Sequence, residues 1–368
     1  MKIIFDNQIF NTQVHGGISR YFCELVNNLD KLNSMSHIYA GIHINQYLMG
    51  LSRDLYTGQK IESYLPMTRR FFRYINALCA KRFAKKYLPD IVHETYYSPN
   101  TIAPKSVKKV VTVYDMIHEK FPNQFSSNDR TSELKAVSVS RADHVICISE
   151  QTKKDLICYF GTPENKISVV YLGHELSVDK SDVPANFTQT LRPFLLYVGQ
   201  RNGYKNFMTF IEAYAESQDL KTNYDVVSFG GGCFNDVEKK TFADLGLSEN
   251  QVRQVSGNDE LLASYYSQAS LFVYPSLYEG FGIPPLEAMN YDCPVVCSST
   301  SSLPEVVGNA AHMFIPESSK SIRLAMESVI NDPEYRSQLI NLGRERVKMF
   351  SWEKCALETA AVYKMVTS

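Results

Sequence analysis

Two glutamates flank a glycine- and proline-rich segment in the second half of the chain. Glu279 and Glu287 enclose Gly-Phe-Gly-Ile-Pro-Pro, which directly follows an apolar run. A carboxylate accepts hydrogen bonds from vicinal hydroxyl pairs, so one glutamate suits a donor sugar and the other a ribose. Gly280 and Gly282 leave the backbone free to direct amides at a phosphate, and proline is tolerated where the next helix begins.

Two cations lie in a second segment, Tyr-Val-Gly-Gln-Arg-Asn-Gly-Tyr-Lys-Asn, residues 197–206. An apolar run ends at Val198, and the loop after it carries Arg201 and Lys205. Two positive charges at that point would neutralise a diphosphate leaving group. The alternative is a solvated loop with ordinary surface charges.

Glycines also follow two other apolar runs. Gly16 and Gly17 stand before an amphipathic helical pattern, where helix amides favour a phosphate or a sugar oxygen; the alternative is a tight strand-to-helix turn. The triplet 230–232 closes another run. It lacks the complete Gly-x-Gly-x-x-Gly pattern and the acidic residue of a dinucleotide-binding fold, which argues against a dehydrogenase.

These segments require a sheet framework. Short apolar runs alternate with helical patterns, which predicts an α/β fold with two parallel, doubly wound sheets. The predicted strands are Lys2 to Phe5, Ile38 to Ile44, Asp90 to His93, Lys109 to Tyr114, His144 to Ile148, Phe194 to Val198, Tyr224 to Phe229, Leu271 to Tyr274 and Pro294 to Cys297. The polar segment 173–193 is the predicted linker. Ligands should bind in a central cleft, at the carboxyl ends of the strands.

Length, composition and charge agree with a globular chain of two domains. The chain has 368 residues and is 44% hydrophobic, with no apolar run long enough to span a membrane and no signal-peptide pattern at its start. Its eight cysteines form no Cys-x-x-Cys pair, which favours reduced thiols and a cytoplasmic location. Residues 1–175 carry 22 Lys and Arg against 16 Asp and Glu, too weak an excess to indicate nucleic acid.

With these motifs in order, the chain resembles the retaining family 4 glycosyltransferases, whose GT-B fold consists of two Rossmann-like domains. The family signature is Glu, seven residues, Glu. Matching pieces occur in family order over nearly the whole chain: HGGISRYFCEL, HVICISEQTKKDL, VVYLG, YVGQRNGYKN, VSGNDELLASYYSQA, SLYEGFGIPPLEAM and FSWEKCALETAAVY. The chain looks most like the bacterial surface-polysaccharide members, many of which are mannosyltransferases.

The resemblance implies a domain plan. Residues 1–172 would form an acceptor-side domain, residues 194–350 a domain that binds a nucleotide-sugar donor, and residues 351–368 a helix that crosses back to the first domain.

The resemblance also implies roles for individual residues. Arg201 and Lys205 would hold the donor diphosphate, Glu279 would contact the transferred sugar and Glu287 the ribose. Further donor contacts would come from backbone at Gly16, Gly17, Ser256, Gly257, Gly280, Phe281, Gly282 and Ile283. The family loop often reads Arg-Lys-Asn, whereas Tyr204 precedes Lys205 here, so the position of Arg201 in the alignment stays open.

Family members tend to place a histidine after an early strand, near the reacting carbon. Here Tyr114 stands where a His-Asp pair is common. Asp115 and His118 are therefore candidates for sugar or acceptor contacts, and His93-Glu94 is a third candidate. The alternative for a histidine at a strand end is a packed side chain.

The predicted reaction transfers a sugar, with retained configuration, from GDP-mannose or a UDP-sugar to a hydroxyl of a glycan or lipid-linked acceptor in polysaccharide or lipopolysaccharide biosynthesis. The family implies a front-face reaction, and a covalent route stays open. The sequence has no Asp-x-Asp and no His/Cys cluster with ligand spacing. We therefore expect no cofactor and no essential metal.

Two other functions fit parts of the pattern. A nucleotide-sugar 2-epimerase shares the two-domain architecture, but the Glu-x7-Glu element weighs against it. A non-catalytic sugar-nucleotide-binding scaffold is the second alternative, and the joint presence of Glu279, Glu287, Arg201 and Lys205 argues against loss of activity.

The segment 67–88 contains seven Lys and Arg, no acidic residue, and interleaved Phe and Tyr. Cations with aromatic side chains on a helix suit an anionic membrane surface, which predicts peripheral contact with the inner membrane. The alternative is a solvated amphipathic helix that packs its Phe and Leu on the domain.

Overall fold

The computed structural model describes residues 1–174, 178 and 192–368. The described chain divides into two units, one formed by Met1–Gly173 with Trp352–Ser368 and the other by His174–Ser351. Each unit contains one parallel sheet. Most of the predicted linker 173–193 lies outside the described residues.

The first unit has a seven-stranded sheet with the order β3-β2-β1-β4-β5-β6-β7. Its strands are β1 (Lys2–Phe5), β2 (Met35–His43), β3 (Tyr56–Lys60), β4 (Ile91–Glu94), β5 (Lys108–Val113), β6 (His144–Cys147) and β7 (Ile167–Val169). Its first five helices are α1 (Gly17–Lys31), α2 (Arg69–Tyr87), α3 (Ile117–Lys120), α4 (Thr131–Arg141) and α5 (Glu150–Phe160).

The second unit has a six-stranded sheet with the order β10-β9-β8-β11-β12-β13. Its strands are β8 (Phe194–Val198), β9 (Asp225–Phe229), β10 (Val252–Val255), β11 (Leu271–Tyr274), β12 (Val295–Ser298) and β13 (His312–Phe314). Its helices are α6 (Phe207–Glu216), α7 (Gln218–Asn223), α8 (Asp236–Asp244), α9 (Asp259–Gln268), α10 (Ile283–Asn290), α11 (Leu303–Val307), α12 (Ser319–Ile330) and α13 (Pro333–Val347).

Central strands of both sheets are buried along their whole length, as β4, β6, β9, β11 and β12 show. Helices that cover both faces of a parallel sheet explain these continuous apolar runs. In each sheet the strand order reverses once, between β1 and β4 and between β8 and β11. Loops that leave the carboxyl ends of two such neighbouring strands diverge, so a crevice opens between them.

The predicted α/β fold with two parallel, doubly wound sheets is confirmed. All nine predicted strands exist, with ends that shift by up to three residues. Four strands, β3, β7, β10 and β13, were not predicted, and each of them is an edge strand of its sheet. Edge strands expose part of their surface and therefore mix polar with apolar residues, which hides them from a search for apolar runs.

The last helix, α14 (Trp352–Thr367), belongs to the first unit, where it packs against α1. Nδ1 of His93 in β4 lies 2.5 Å from the hydroxyl of Tyr363 in α14. A Cβ atom on Gly173 would lie 2.4 Å from the backbone nitrogen of Trp352, so glycine is required for this close approach.

Among the described residues, no helix combines the length and apolar character needed to span a bilayer. The eight cysteines all lie in the described ranges, and each is a free thiol.

His93 makes the stability of the first unit depend on pH. Its complete burial lowers the pKa of the imidazole to about 3, whereas an unfolded chain binds this proton near pH 6.5. The unfolded state therefore takes up the proton first as the pH falls, and the free energy of unfolding decreases between pH 6.5 and 3. We expect His93 alone to remove about 2 kcal/mol between pH 7 and 5.

Urea unfolding followed by the fluorescence of Trp352 measures this effect, because the chain has a single tryptophan and it lies in the first unit. The variant His93→Gln should start from a lower stability at pH 7, since it disturbs two hydrogen bonds, but should lose less on acidification. Equal pH dependence in both proteins would contradict the assignment.

Candidate functional site

Lys205 and Glu279 meet at the point where the order of the second sheet reverses. Lys205 ends a 3-10 turn (Gly203–Lys205) shortly after β8, and Glu279 follows the neighbouring strand β11. Nζ of Lys205 lies 2.7 Å from Oε1 of Glu279, and both side chains are largely buried. The structure therefore brings together the acidic and basic groups that the sequence places 74 residues apart.

Tyr274, the last residue of β11, holds the same carboxylate. Its hydroxyl donates to Oε1 of Glu279 at 2.8 Å. Burial, together with the Glu279 carboxylate, raises the pKa of Tyr274 well above its ordinary value. The phenol consequently keeps its proton and acts as a hydrogen-bond donor to Glu279.

The loop after β12 holds the backbone on either side of Gly280. The amide of Glu279 donates to Oγ of Ser301 at 2.9 Å. Oγ of Ser302 lies 2.9 Å from the carbonyl oxygen of Glu279 and 2.8 Å from that of Phe281. Neighbouring loops thus fix both the side chain and the main chain of Glu279.

Gly282 connects this turn to α10. Its φ is +106°, and a Cβ atom would lie 2.6 Å from Cδ2 of Leu303, so a larger residue would be both strained and crowded. The helix begins at Ile283, one residue before the predicted start at the prolines. One turn further on, Oε2 of the buried Glu287 accepts a hydrogen bond from the hydroxyl of Tyr266 at 3.1 Å.

Arg201 has a carboxylate partner that the sequence analysis did not foresee. Its Nε donates to Oε1 of Glu238 at 2.7 Å, and its Nη2 lies 3.3 Å from Oε2. The charge of Arg201 is therefore already neutralised by Glu238 in α8. Arg201 and Lys205 lie in one loop, but each of them is paired with a different glutamate.

In the first unit, Asp115 and His118 lie beyond the carboxyl end of β5. Oδ1 of Asp115 is 3.8 Å from Nζ of the buried Lys135. The His118 ring stacks on Phe125 with centroids 3.9 Å apart, and its Nε2 is 3.6 Å from Oδ2 of Asp129. Both predicted side chains are partly exposed, so both are accessible to a ligand.

The structure corrects the prediction for the third candidate, His93-Glu94, because neither side chain is accessible to a ligand. Both ring nitrogens of His93 lie within hydrogen-bond distance of protein hydroxyls, on Tyr363 and Thr112, and the side chain is fully buried. Glu94 is also buried and pairs with Arg141 at 2.6 Å; burial raises its pKa to about 7 against the opposing effect of Arg141. These two residues pack the core beneath the strand ends and contact no accessible surface.

Of the remaining predicted glycines, Gly16 and Gly257 lie just before helices, and Gly17 is the first residue of α1. Gly16 precedes α1, where the side chain of Gln13 already accepts the Ser19 amide at 3.2 Å. A Cβ atom on Gly17 would have no neighbour within 4 Å. A Cβ atom on Gly257, which lies just before α9 and beside Ser256, would lie 2.3 Å from Leu261.

Sequence comparisons match both units. The profile described as "Glycosyltransferase Family 4" matches residues 15–178, and that described as "Glycosyl transferases group 1" matches residues 180–346. The O-antigen chain mannosyltransferase RfbU of Salmonella typhimurium is 30% identical over 71% of this chain and 69% of its own length. The chain belongs to glycosyltransferase family 4. O-antigen chain mannosyltransferase B of Escherichia coli is 27% identical over 100% of both chains.

Solved structures show the same fold for this glycosyltransferase. Sucrose-phosphate synthase from Thermosynechococcus elongatus aligns with a TM-score of 0.77 and 20% identity over 99% of both chains. Anabaena HepE in complex with UDP and glucose aligns with a TM-score of 0.74 and 16% identity, over 99% of this chain and 100% of that one. The predicted GT-B fold is thereby confirmed.

Four residues that hold the candidate site in place were not predicted: Tyr274, Ser301, Ser302 and Glu238. Tyr274 reads as one more apolar residue of a strand, and the two serines lie in a polar loop without a motif. Glu238 belongs to a recognisable sequence pattern, because Asn235 and Glu238 form a capping box at the start of α8. That pattern predicts the start of a helix but not the contact with Arg201.

Proposed function

We propose that this glycosyltransferase moves a sugar, with retained anomeric configuration, from a nucleotide diphosphate donor to a hydroxyl of a glycan or lipid-linked acceptor. The main support for this proposal is the Lys205–Glu279 pair, whose Nζ and Oε1 atoms lie 2.7 Å apart where the strand order of the second sheet reverses. A cation there suits a diphosphate, and a fixed carboxylate suits sugar hydroxyls.

Donor binding would redistribute these contacts. Without a ligand, Glu279 neutralises Lys205. A diphosphate carries more negative charge than one carboxylate and would compete for the ammonium group. Glu279 would stay in place, because Tyr274 holds its side chain and Ser301 its amide, and its carboxylate would then accept hydrogen bonds from the transferred sugar.

In the proposed reaction, the bond between sugar C1 and the phosphate oxygen breaks while a bond forms between C1 and the acceptor oxygen. Negative charge grows on the leaving diphosphate, where Lys205 stabilises it. The acceptor proton passes to the departing phosphate on the same face of the sugar, so the configuration at C1 is retained. Glu279 positions the donor and takes no part in this proton transfer.

Two similarities support the identity of the donor. The curated relatives named above are O-antigen mannosyltransferases, which supports transfer of mannose and a role in O-antigen biosynthesis. We propose GDP-mannose as the donor and a location at the cytoplasmic face of the membrane. HepE binds UDP and glucose, which supports a nucleoside diphosphate in the same fold. Glu287 would bind the ribose, and the backbone at Gly257 and at residues 280–283 would line the base and the phosphates.

In the first unit, we assign Asp115 and His118 to sugar or acceptor contacts and the backbone at Gly16 and Gly17 to the diphosphate or the acceptor. Asp115 and His118 lie beyond the carboxyl end of β5, where ligands bind in parallel sheets.

Among the described residues, no group of His, Cys, Asp and Glu has the geometry of a metal site. We propose that Lys205 takes the place of a divalent ion, and we expect the activity to persist in EDTA.

The assay that tests this function combines GDP-mannose, with UDP-sugars in parallel, and a lipid-linked glycan acceptor. We expect release of nucleoside diphosphate that depends on the acceptor. A changed nucleotide sugar formed without acceptor would indicate the 2-epimerase instead, and binding without turnover would indicate a scaffold.

Glu279→Gln should lower kcat by about a hundredfold or more, because the neutral amide binds the hydroxyls of an electron-poor sugar less strongly as positive charge develops on its ring. Folding should be affected less than kcat, since glutamine keeps an acceptor oxygen for Tyr274 and for the Lys205 ammonium. Glu334→Gln, which alters an exposed glutamate in α13, is the matched control. Turnover at the wild-type rate in Glu279→Gln would remove Glu279 from the site.

The helix α2 supports a membrane contact. Ala80 and Ala84 face the core, whereas Phe71 and Tyr74 are 61% and 65% exposed. At this helical spacing the two rings share the outer face with Arg82, which is also exposed. The aromatic residues therefore do not all pack on the domain, and we propose that this face binds anionic lipid of the inner membrane.

Co-sedimentation with phosphatidylglycerol vesicles tests the contact. The double variant Phe71→Ser/Tyr74→Ser should sediment several-fold less than wild type, because it removes the apolar part of the face. Tyr159→Ser, which alters an exposed tyrosine in α5, is the control and should bind normally. Binding that is insensitive to salt, to anionic lipid content and to the double substitution would rule the surface out.

A further inference from the structure

The guanidinium group of Arg201 is surrounded by protein acceptors. Besides its two contacts with Glu238, Nη1 donates to the carbonyl oxygen of Gly230 at 3.1 Å and Nη2 to that of Cys233, also at 3.1 Å. The side chain of Arg201 is only 5% exposed. An arginine that serves as a ligand for phosphate would need several of these N–H groups to point toward the ligand.

Aromatic rings and a helix start hold this arrangement in place. The Arg201 guanidinium lies 4.6 Å from the centroid of the Phe234 ring. Oε2 of Glu238 also accepts the amide of Asn235 at 2.8 Å, so the carboxylate is fixed at the beginning of α8. Burial raises the pKa of Glu238, but the hydrogen bonds from Arg201 and Asn235 outweigh it and keep the pKa below its ordinary value. Glu238 is therefore charged when it pairs with Arg201.

The loop that Arg201 holds has an unusual backbone. Gly230, Gly231 and Gly232 have φ values of +85°, +72° and +74°. A Cβ atom on Gly231 would lie 2.5 Å from Nη1 of Arg201 and 2.9 Å from the carbonyl oxygen of Gly199. Gly231 thus lies directly against the guanidinium group and against the loop after β8.

Backbone hydrogen bonds extend this connection to the adjoining strands. The amide of Gly199 donates to the carbonyl oxygen of Phe229 at 3.0 Å, and the amide of Gly230 donates to that of Val255 at 2.8 Å. The loops after β8, β9 and β10 are therefore joined around Arg201, and the first of them carries Lys205. Withdrawing Arg201 toward a ligand would leave Glu238 as a buried, unpaired carboxylate, which is strongly unfavourable.

We propose that Arg201 and Glu238 form a clamp that positions the loop 230–233 against the Lys205 loop, and that Arg201 is not itself a ligand of the donor diphosphate. This inference rests on the proposed function, because it concerns the same donor site. It makes Arg201 a positioning residue and leaves Lys205 as the side-chain cation that meets the phosphates.

Four variants separate a clamp from a phosphate ligand: Arg201→Gln, Arg201→Lys, Glu238→Gln and the double variant Arg201→Gln/Glu238→Gln. Calorimetry with GDP, and with UDP in parallel, measures binding. For a clamp, each single variant should weaken binding roughly tenfold or more, because a displaced loop misplaces its contacts. The double variant should bind no more weakly than the single ones, since the two side chains act as one unit.

If Arg201 instead binds the donor phosphates directly, the variants should give different binding results. Arg201→Lys would then keep part of the affinity that Arg201→Gln loses, because a lysine also binds phosphate as a point charge, and Glu238→Gln would tighten binding by releasing the guanidinium. Either result would overturn the proposal. Arg253→Gln breaks another arginine–carboxylate pair of the same unit, with Asp225, and should leave nucleotide binding unchanged.

Hydrogen exchange of the amides of residues 231–233, measured without ligand, gives a second readout. Exchange should become faster in Arg201→Lys and Glu238→Gln than in wild type, and these milder variants suffice if Arg201→Gln does not fold. Unchanged exchange together with lost binding would contradict the clamp. Lys205→Gln tests the proposed function separately, because it should weaken the binding of GDP but not of guanosine.

Discussion

The ion pair between Lys205 and Glu279 is the interaction on which the rest of the site depends. A buried ammonium and a buried carboxylate are stable only when each has a partner and further hydrogen bonds. Tyr274 supplies one of these bonds, and Ser301 fixes the adjoining amide. The pair exists because β8 and β11 are neighbours at the reversal of strand order, so that loops distant in sequence begin side by side.

Neutralisation of charge is a general feature of this sheet edge. Lys205 pairs with Glu279 and Arg201 with Glu238, although both cations belong to one short loop. The two pairs differ in what surrounds them. Arg201 is bound on several sides by backbone carbonyls and rings, which suits a structural role, whereas in the proposed function a diphosphate replaces the acidic partner of Lys205. The proposed roles thus assign loop geometry and ligand charge to separate residues.

Much of this fold could be predicted from the sequence, since buried central strands such as β11 are continuous apolar runs. The edge strands β3, β7, β10 and β13 could not, because partial exposure mixes their composition. The acidic and basic residues of the candidate site could also be selected from the sequence, because they follow strands and stand among glycines. Their partners were not, since the contact of Arg201 with Glu238 depends on how α8 packs.

The most direct measurement is an experimental structure of the protein with a bound nucleotide sugar such as GDP-mannose. We expect a diphosphate oxygen within about 3.2 Å of Nζ of Lys205 and a sugar hydroxyl at a similar distance from the Glu279 carboxylate. A bound nucleotide sugar that leaves the Lys205–Glu279 pair intact and touches neither side chain would contradict it.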